Sequence, residues 1–203
     1  MKRIFNFLRV YSAFKKNYKL VPLEIFKNDP YKILISTILS SRTKDETTLN
    51  ASIRLFSKAK NIHTLSRLDQ LEIRNLIYPV GFYKTKAKHL KMLSRFIITD
   101  FAGQVPKNRQ DLMKLPGVGR KTANLILNRV FNIPAIAVDT HVHKISNMLG
   151  WVKTKNPEAT EKKLNEIIPQ KYWKDINRLF VSIGRQFKTR KKLKEFLIKE
   201  KLI

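Results

Sequence analysis

The sequence predicts an all-α protein on three observations. Apolar residues recur at three- and four-residue spacing in roughly eight to ten stretches. No segment alternates apolar and polar residues as a half-buried strand does. Between the stretches stand proline, glycine or a residue suited to capping a helix. The elements follow in order. Residues 1–20, MKRIFNFLRVYSAFKKNYKL, hold six Lys or Arg and no acid and read as a basic amphipathic helix. Their apolar residues are interrupted too often for a secretory signal. Asp29-Pro30 is an N-cap followed by proline at the first helical position. Ile33, Leu34, Ile35, Ile38 and Leu39 then make a nearly all-apolar helix, hence a central one. Thr43-Lys44-Asp45-Glu46 has capping-box spacing, and Leu49, Ile53 and Phe56 supply the next apolar stripe. Leu68 to Ile77 is a short amphipathic stretch stopped by Pro79 and Gly81. The segment from Lys84 to Phe101 turns Leu90, Leu93, Phe96 and Ile97 inward and meets Gly103 beyond its end.

A short helix is expected from Asp111 to Leu115 and a longer one from Lys121 to Phe131, closed off by Pro134. Asp139 is placed to cap a helix running to Leu149. Pro157 to Ile168 and Tyr172 to Phe187 give two more, and the chain ends in a basic tail from Lys188.

At 203 residues the chain is one large domain or two small ones. Lys and Arg number 42 against 15 Asp and Glu, a formal charge of +27. Such an excess sets up a large positive field and suits a polyanion, nucleic acid first, although a lysine-rich surface alone gives the same count. The absence of cysteine excludes disulfides, thiolate ligation of iron and thiol catalysis. Four histidines leave little for a zinc site. With no apolar run near 18 residues, nothing is expected to span a membrane.

The most specific local feature is Leu115-Pro116-Gly117-Val118-Gly119, which leads straight into a helix with Arg120 and Lys121 at the joint. Pro116 fixes its own φ, and two residues without Cβ let the backbone bend sharply and let another backbone come close. The N–H groups of Val118 to Lys121 then point outward with the positive helix end, which is an anion site apt for one phosphate. A plain helix–helix turn with glycines for clearance fits the local pattern equally well. The neighbouring run of Lys84, Lys86, Lys88, Lys91 and Arg95 favours phosphate. His141 and His143, two residues apart, do not share a helix face, so core packing or hydrogen bonding suits them better than a metal.

LPGVGRKTANLILN and AVDTHVHKISNMLGW, with ILISTILSSRTKDETT and IYPVGFYKTKAKHL upstream, resemble the helix-hairpin-helix DNA glycosylases. Among these the chain is identified as a member of the endonuclease III group, over about residues 25–187. The resemblance implies that Lys121 is the nucleophile and Asp139 its acidic partner. Amine attack at the sugar C1′ would displace a damaged base, and the Schiff base formed would acidify the C2′ proton so that elimination cuts the strand. The attacking lysine must be neutral, against an ordinary pKa of about 10.4, and both a positive helix end and partial burial would favour that form. Asp139 would accept a proton and stabilise positive charge on the sugar; as a residue before a helix it is also a good N-cap. The resemblance places a polar gap-filler at Arg42 and an apolar wedge at Phe82, where family members often carry Gln and Leu. It gives Asp45 either to the base pocket or to capping its helix.

Further DNA contacts are expected from Lys84, Gly117, Val118, Gly119, Arg120, Lys144 and Lys191. A sodium or potassium ion is implied at the hairpin through the carbonyls of Met113, Leu115 and Val118. Many relatives end in four cysteines holding an iron–sulfur cluster; here Lys188 stands at the first ligand position. A terminal helix anchored by Phe196, Leu197 and Ile198, with Lys191, Lys192 and Lys194 toward phosphates, is the expected substitute. By analogy, residues 23–133 form one helical domain and residues 1–22 with 134–203 the other, with DNA in the cleft between them. The reading is then a bifunctional glycosylase and AP lyase for oxidised pyrimidines. Its expected partner is double-stranded DNA holding a damaged base or abasic site. The protein is expected as a monomer away from membranes, in the cytoplasm beside the nucleoid or in a eukaryotic nucleus. Its rivals are a cluster-free 8-oxoguanine glycosylase and a catalytically silent DNA-binding module.

Overall fold

A computed structural model describes residues 2–26 and 29–203. The described residues form twelve α-helices and two short 3-10 turns, with no strand, so the fold is all-α. Twelve exceeds the roughly eight to ten expected because very short helices leave little periodicity to read. The chain separates into two compact units, Pro22–Phe131 and the discontinuous pair Met1–Val21 with Asn132–Ile203. Among the described residues no helix is long and apolar enough to cross a membrane.

The Pro22–Phe131 unit holds α2 (Pro30–Ser40), α3 (Asp45–Lys58), α4 (Ile62–Arg67), α5 (Gln70–Ile77), α6 (Tyr83–Phe101), α7 (Arg109–Lys114) and α8 (Arg120–Phe131). Helix α2 is its centre and packs against α3, α6 and α8. Ile33, Leu34, Ile35, Ile38 and Leu39 are all buried, as their all-round hydrophobicity requires. Asp29 caps it, Oδ1 accepting from the Lys32 amide at 3.0 Å, with Pro30 in the first turn. On α3 the expected capping box does not form. Lys44 occupies the N-cap position without a side-chain bond, because the Thr43 hydroxyl donates to the Ser41 carbonyl (3.1 Å) and accepts from the Gly81 amide (3.1 Å). The buried face falls on Thr48, Ala51, Ser52, Leu55 and Phe56, leaving Ile53 51% exposed. Two polar residues on that face hide its periodicity. Phe96 on α6 is half-buried beside the buried Leu90, Leu93 and Ile97.

Several helix ends in this unit are closed by side chains. Asn61, Asp69 and Asn108 cap α4, α5 and α7. At the carboxyl ends, cations reach orphan carbonyls. Arg54 donates to Leu76 O (3.1 Å) and to Tyr78 O, and Lys91 to Ser66 O (2.7 Å) and Leu68 O. The Lys86 ammonium, on a side chain only 6% exposed, donates to Leu39 O (2.8 Å), Ser41 O (2.6 Å) and Thr43 Oγ1 (3.3 Å). Two of the lysines expected to line a phosphate surface are therefore internal fasteners.

The second unit holds α1 (Lys2–Lys16), α9 (Thr140–Met148), α10 (Pro157–Ile167), α11 (Trp173–Gln186) and α12 (Arg190–Lys199). Phe7, Val10 and Phe14 of α1 join Val142, Ile145, Trp151, Leu164, Phe180 and Ile183 in one core. The Phe14 and Phe180 rings meet edge to face at 5.0 Å. Helix α12 belongs to this core through Leu193, Phe196 and Leu197, followed by Leu202, and the Phe196 ring stacks on Phe187 at 4.3 Å. Ile198, expected as an anchor, is 52% exposed, because the buried set at 193, 196 and 197 rotates it outward.

Burial pushes the Lys86 pKa down to about 8 from 10.5. The unfolded chain thus holds this proton in a window where the native state has released it. The stabilisation is complete above pH 10.5 and is lost as pH falls through 8. Relative to Lys86→Met, the wild type should gain stability as pH rises from 8 to 10.5, read by urea denaturation at each pH.

Candidate active site

Helix α7 stops at Lys114, and the turn that follows carries the chain into α8. Gly117 has φ +83°, and a Cβ there would meet the His89 ring at 3.0 Å, so its lack of a side chain is required twice over. A Cβ on Gly119 would meet nothing within 4 Å. Clearance for the chain's own backbone therefore does not explain Gly119. The Val118 amide is not outward-facing as expected: it donates to the Leu115 carbonyl at 3.0 Å, and the Val118 side chain is buried. The ladder of α8 begins with Ala123 N–H to Gly119 O at 2.9 Å, so the amides before Ala123 have no acceptor inside the helix. Arg120 and Lys121 stand exposed on this first turn, and the partial burial expected of Lys121 is not found.

Behind them Ala123 to Asn128 are buried, and Arg109 Nε donates to Asn124 Oδ1 at 2.9 Å, which fixes α8 against α7. Met113 lies in the last turn of α7, and Leu115 is its C-cap. Leu115 O already accepts one bond. Beside the turn, an open groove of about 490 Å³ is lined by Gln70, Lys84, Thr85, Lys88, His89, Met92 and Pro116. Lys84 is exposed there on α6, one turn from Lys88.

The same unit brings Arg42 and Phe82 together. The Arg42 guanidinium carbon lies 5.4 Å from the centre of the Phe82 ring, and that ring is 60% exposed. Both residues hold left-handed backbones, with φ of 51° and 58°, a conformation bulky residues adopt at a cost. Asp45 is the first residue of α3, one position past the cap, so the N-cap alternative for it is not realised.

In the discontinuous unit, Asp139 is the N-cap of α9, its Oδ1 accepting from Val142 N at 2.8 Å. The helix ends at Met148, as its span to Leu149 anticipates. The His141 ring packs on Gly184, where a Cβ would fall 2.1 Å from Nδ1. The His143 Nδ1 pairs with Thr160 Oγ1 at 2.6 Å, and Thr160 with Thr154 at 2.6 Å. Both histidines thus serve packing and hydrogen bonding, and the described residues contain no group of three metal-ligating side chains. Lys144 is half-buried on α9, and Lys191 is exposed on α12.

Sequence reasoning missed His89 against Gly117, for which no local signal exists. It also missed Lys86, although residues 86, 90, 93 and 97 share one helical face and the last three are apolar. The two glycines separate structure from ligand. Gly117→Ala should cost about 1–2 kcal/mol of stability. Gly119→Ala should change stability by less than about 1 kcal/mol and still weaken binding to duplex DNA, with thermal melts and fluorescence anisotropy reporting the two quantities.

Comparison with known proteins accords with this geometry. Residues 35–170 match the family model described as HhH-GPD superfamily base excision DNA repair protein. The chain is 43% identical to endonuclease III of Thermotoga maritima over 177 residues, 87% of this chain and 80% of that one. It is 40% identical to endonuclease III-like protein 1 of Gallus gallus over 77% of this chain and 57% of the relative's length. Among solved structures, a non-covalent endonuclease III–DNA complex superposes with a TM-score of 0.84 at 32% identity, covering 94% of this chain and 88% of that one. A trapped endonuclease III–DNA covalent intermediate, in an estranged-adenine complex, gives 0.81 at 30% identity over 93% and 89%. The chain belongs to the endonuclease III group of the HhH-GPD superfamily, the DNA glycosylases and AP lyases of base excision repair.

Proposed function

We propose that the chain excises oxidised pyrimidines from duplex DNA through a Schiff base on Lys121 and then cuts the strand by β-elimination. The observation that carries this reading is the exposed Lys121 on the first turn of α8, two residues after Gly119, which has open space above it. A phosphate held by the α8 amides, with Arg120 beside it, would register the backbone next to the lysine. The Lys121 amine attacks C1′ and the damaged base departs with the bonding electrons. The ring opens to an iminium, the C2′ proton becomes acidic, and its loss expels the 3′ phosphate. Asp139 takes up the proton released by the amine; its cap uses Oδ1 and leaves Oδ2 for the transfer.

A monovalent cation held by the hairpin carbonyls of Met113, Leu115 and Val118 would add positive charge next to that phosphate. Arg42 and Phe82 fill the space the extruded nucleotide leaves, and Asp45 contributes to the base pocket. Oxidised pyrimidine rather than 8-oxoguanine is supported by the VDTHVHK and SSRTKD segments.

Borohydride reduction with a thymine glycol duplex should give a covalent adduct that Lys121→Ala abolishes. Preferential release of 8-oxoguanine in the same assay would instead support the cluster-free purine enzyme, and wild-type binding without an adduct would support the silent module. Asp139→Asn separates the two roles of that residue, because asparagine caps a helix as well as aspartate does. The variant should keep its melting temperature and lose about a hundredfold or more in single-turnover rate. For α12, deletion is uninformative, since Leu193, Phe196 and Leu197 are core. The triple variant Lys191→Ser, Lys192→Ser, Lys194→Ser removes charge only from exposed positions. It should lower the slope of log affinity against log salt by up to about 3, and an unchanged slope would exclude α12 from the DNA surface.

A further inference from the structure

The loops that carry Arg42 and Phe82 are fastened to one another from beneath. Lys86 lies one turn past Phe82 on α6, and its ammonium reaches back to the carbonyls of Leu39 and Ser41 and to the Thr43 hydroxyl, at 2.8, 2.6 and 3.3 Å. That hydroxyl also accepts the Gly81 amide at 3.1 Å. Gly81 of one loop and Lys86 on the helix that follows it thus converge on Thr43, immediately after Arg42 in the other loop. The approach is as close as it can be, since a Cβ on Gly81 would sit 2.4 Å from the Arg42 carbonyl oxygen. Above this seam stand Arg42 and Phe82, both left-handed, with the cation over the ring.

We propose that Lys86 is a positioning residue that holds Arg42 and Phe82 as one preassembled wedge for opening a base pair. The proposal rests on the repair reading above. Left-handed backbones on an arginine and a phenylalanine persist only where the surroundings over-determine them. A hydrogen bond from a charged donor is about twice as strong as a neutral one, and an ammonium offers three donors to the three oxygens gathered here. None of the three is a carboxylate, so charge pairing is not what this lysine supplies. It supplies geometry. A wedge must displace a stacked base, and conformational freedom removed before encounter does not have to be removed during it. Guanidinium and ring, already in contact, would enter the gap together. A mere stabilising cap would instead affect every substrate alike.

The test compares one lesion in two settings: thymine glycol paired within a duplex, and the same lesion as a single-nucleotide bulge, where no pair has to open. Two variants undo the seam by different routes. Lys86→Met removes the tie, and Gly81→Ala forces the loops apart, so a folding defect in one leaves the other. Each should slow single-turnover excision of the paired lesion by at least about tenfold, and of the bulged lesion by less than about threefold. Equal losses on both substrates, or no loss on the paired one, would overturn the proposal.

A second readout stands apart from chemistry. 2-Aminopurine opposite the lesion should brighten when the wild type binds and stay dim with either variant; equal brightening overturns the wedge. If the wild type forms no adduct on any substrate, the repair reading fails by itself, and the fluorescence still decides the role of Lys86.

Discussion

A fold made of short helices is governed by its helix ends. Each end leaves several amides or carbonyls without partners, and in a chain with this many helices those groups outnumber what turns alone can satisfy. The N-termini of α2, α4, α5, α7, α9, α10 and α12 are closed by Asp29, Asn61, Asp69, Asn108, Asp139, Asn156 and Thr189. Carboxyl ends draw on the positive side chains in which the sequence is rich: Arg54, Lys86 and Lys91 each serve two carbonyls. The starts of α3, α6 and α11 carry no side-chain cap, and α8 follows a glycine, which has no side chain to offer.

The same accounting changes the meaning of the charge. A net +27 suggests a uniformly basic coat, but the cations fall into classes with different work. Lys86 and Lys91 point inward to carbonyls. Arg42 lies over an aromatic ring, and Lys84 and Lys88 border a groove beside the hairpin. Long-range attraction to a polyanion sums all of these, whereas register on the polyanion depends on the few whose position is held. Steering and placement are thus distributed over different residues.

Much of the helical layout was legible. Asp29-Pro30, the apolar run of α2 and Asp139 before α9 are strong local signals, and each element formed where its signal stood. Failures came where a residue was claimed by a distant neighbour. Thr43 did not cap α3 because the Gly81 amide, 38 residues on, needed its oxygen. The Val118 amide was taken by Leu115, and Ile53 was displaced from the buried face by Ala51 and Leu55. At the site, the glycine turn and its lysine were legible as a motif. Its support was not, because the contact of His89 with Gly117 links residues far apart in sequence. Lys86 left a trace, a charged residue on an otherwise apolar helical face, which only the destination of its ammonium could explain.

The discontinuous unit has a consequence for the order in which the chain can fold as it is made. Phe14 of α1 has its ring partners in Phe180 and Phe196. At synthesis rates of about 5–20 residues per second, that helix emerges roughly ten seconds or more before the segment it must join. The Pro22–Phe131 unit lies wholly between the two halves and can consolidate in the interval. Until then the apolar side of α1 is without its core. Synthesis as far as Phe196, rather than local helix propensity, sets the moment at which this half of the protein can close.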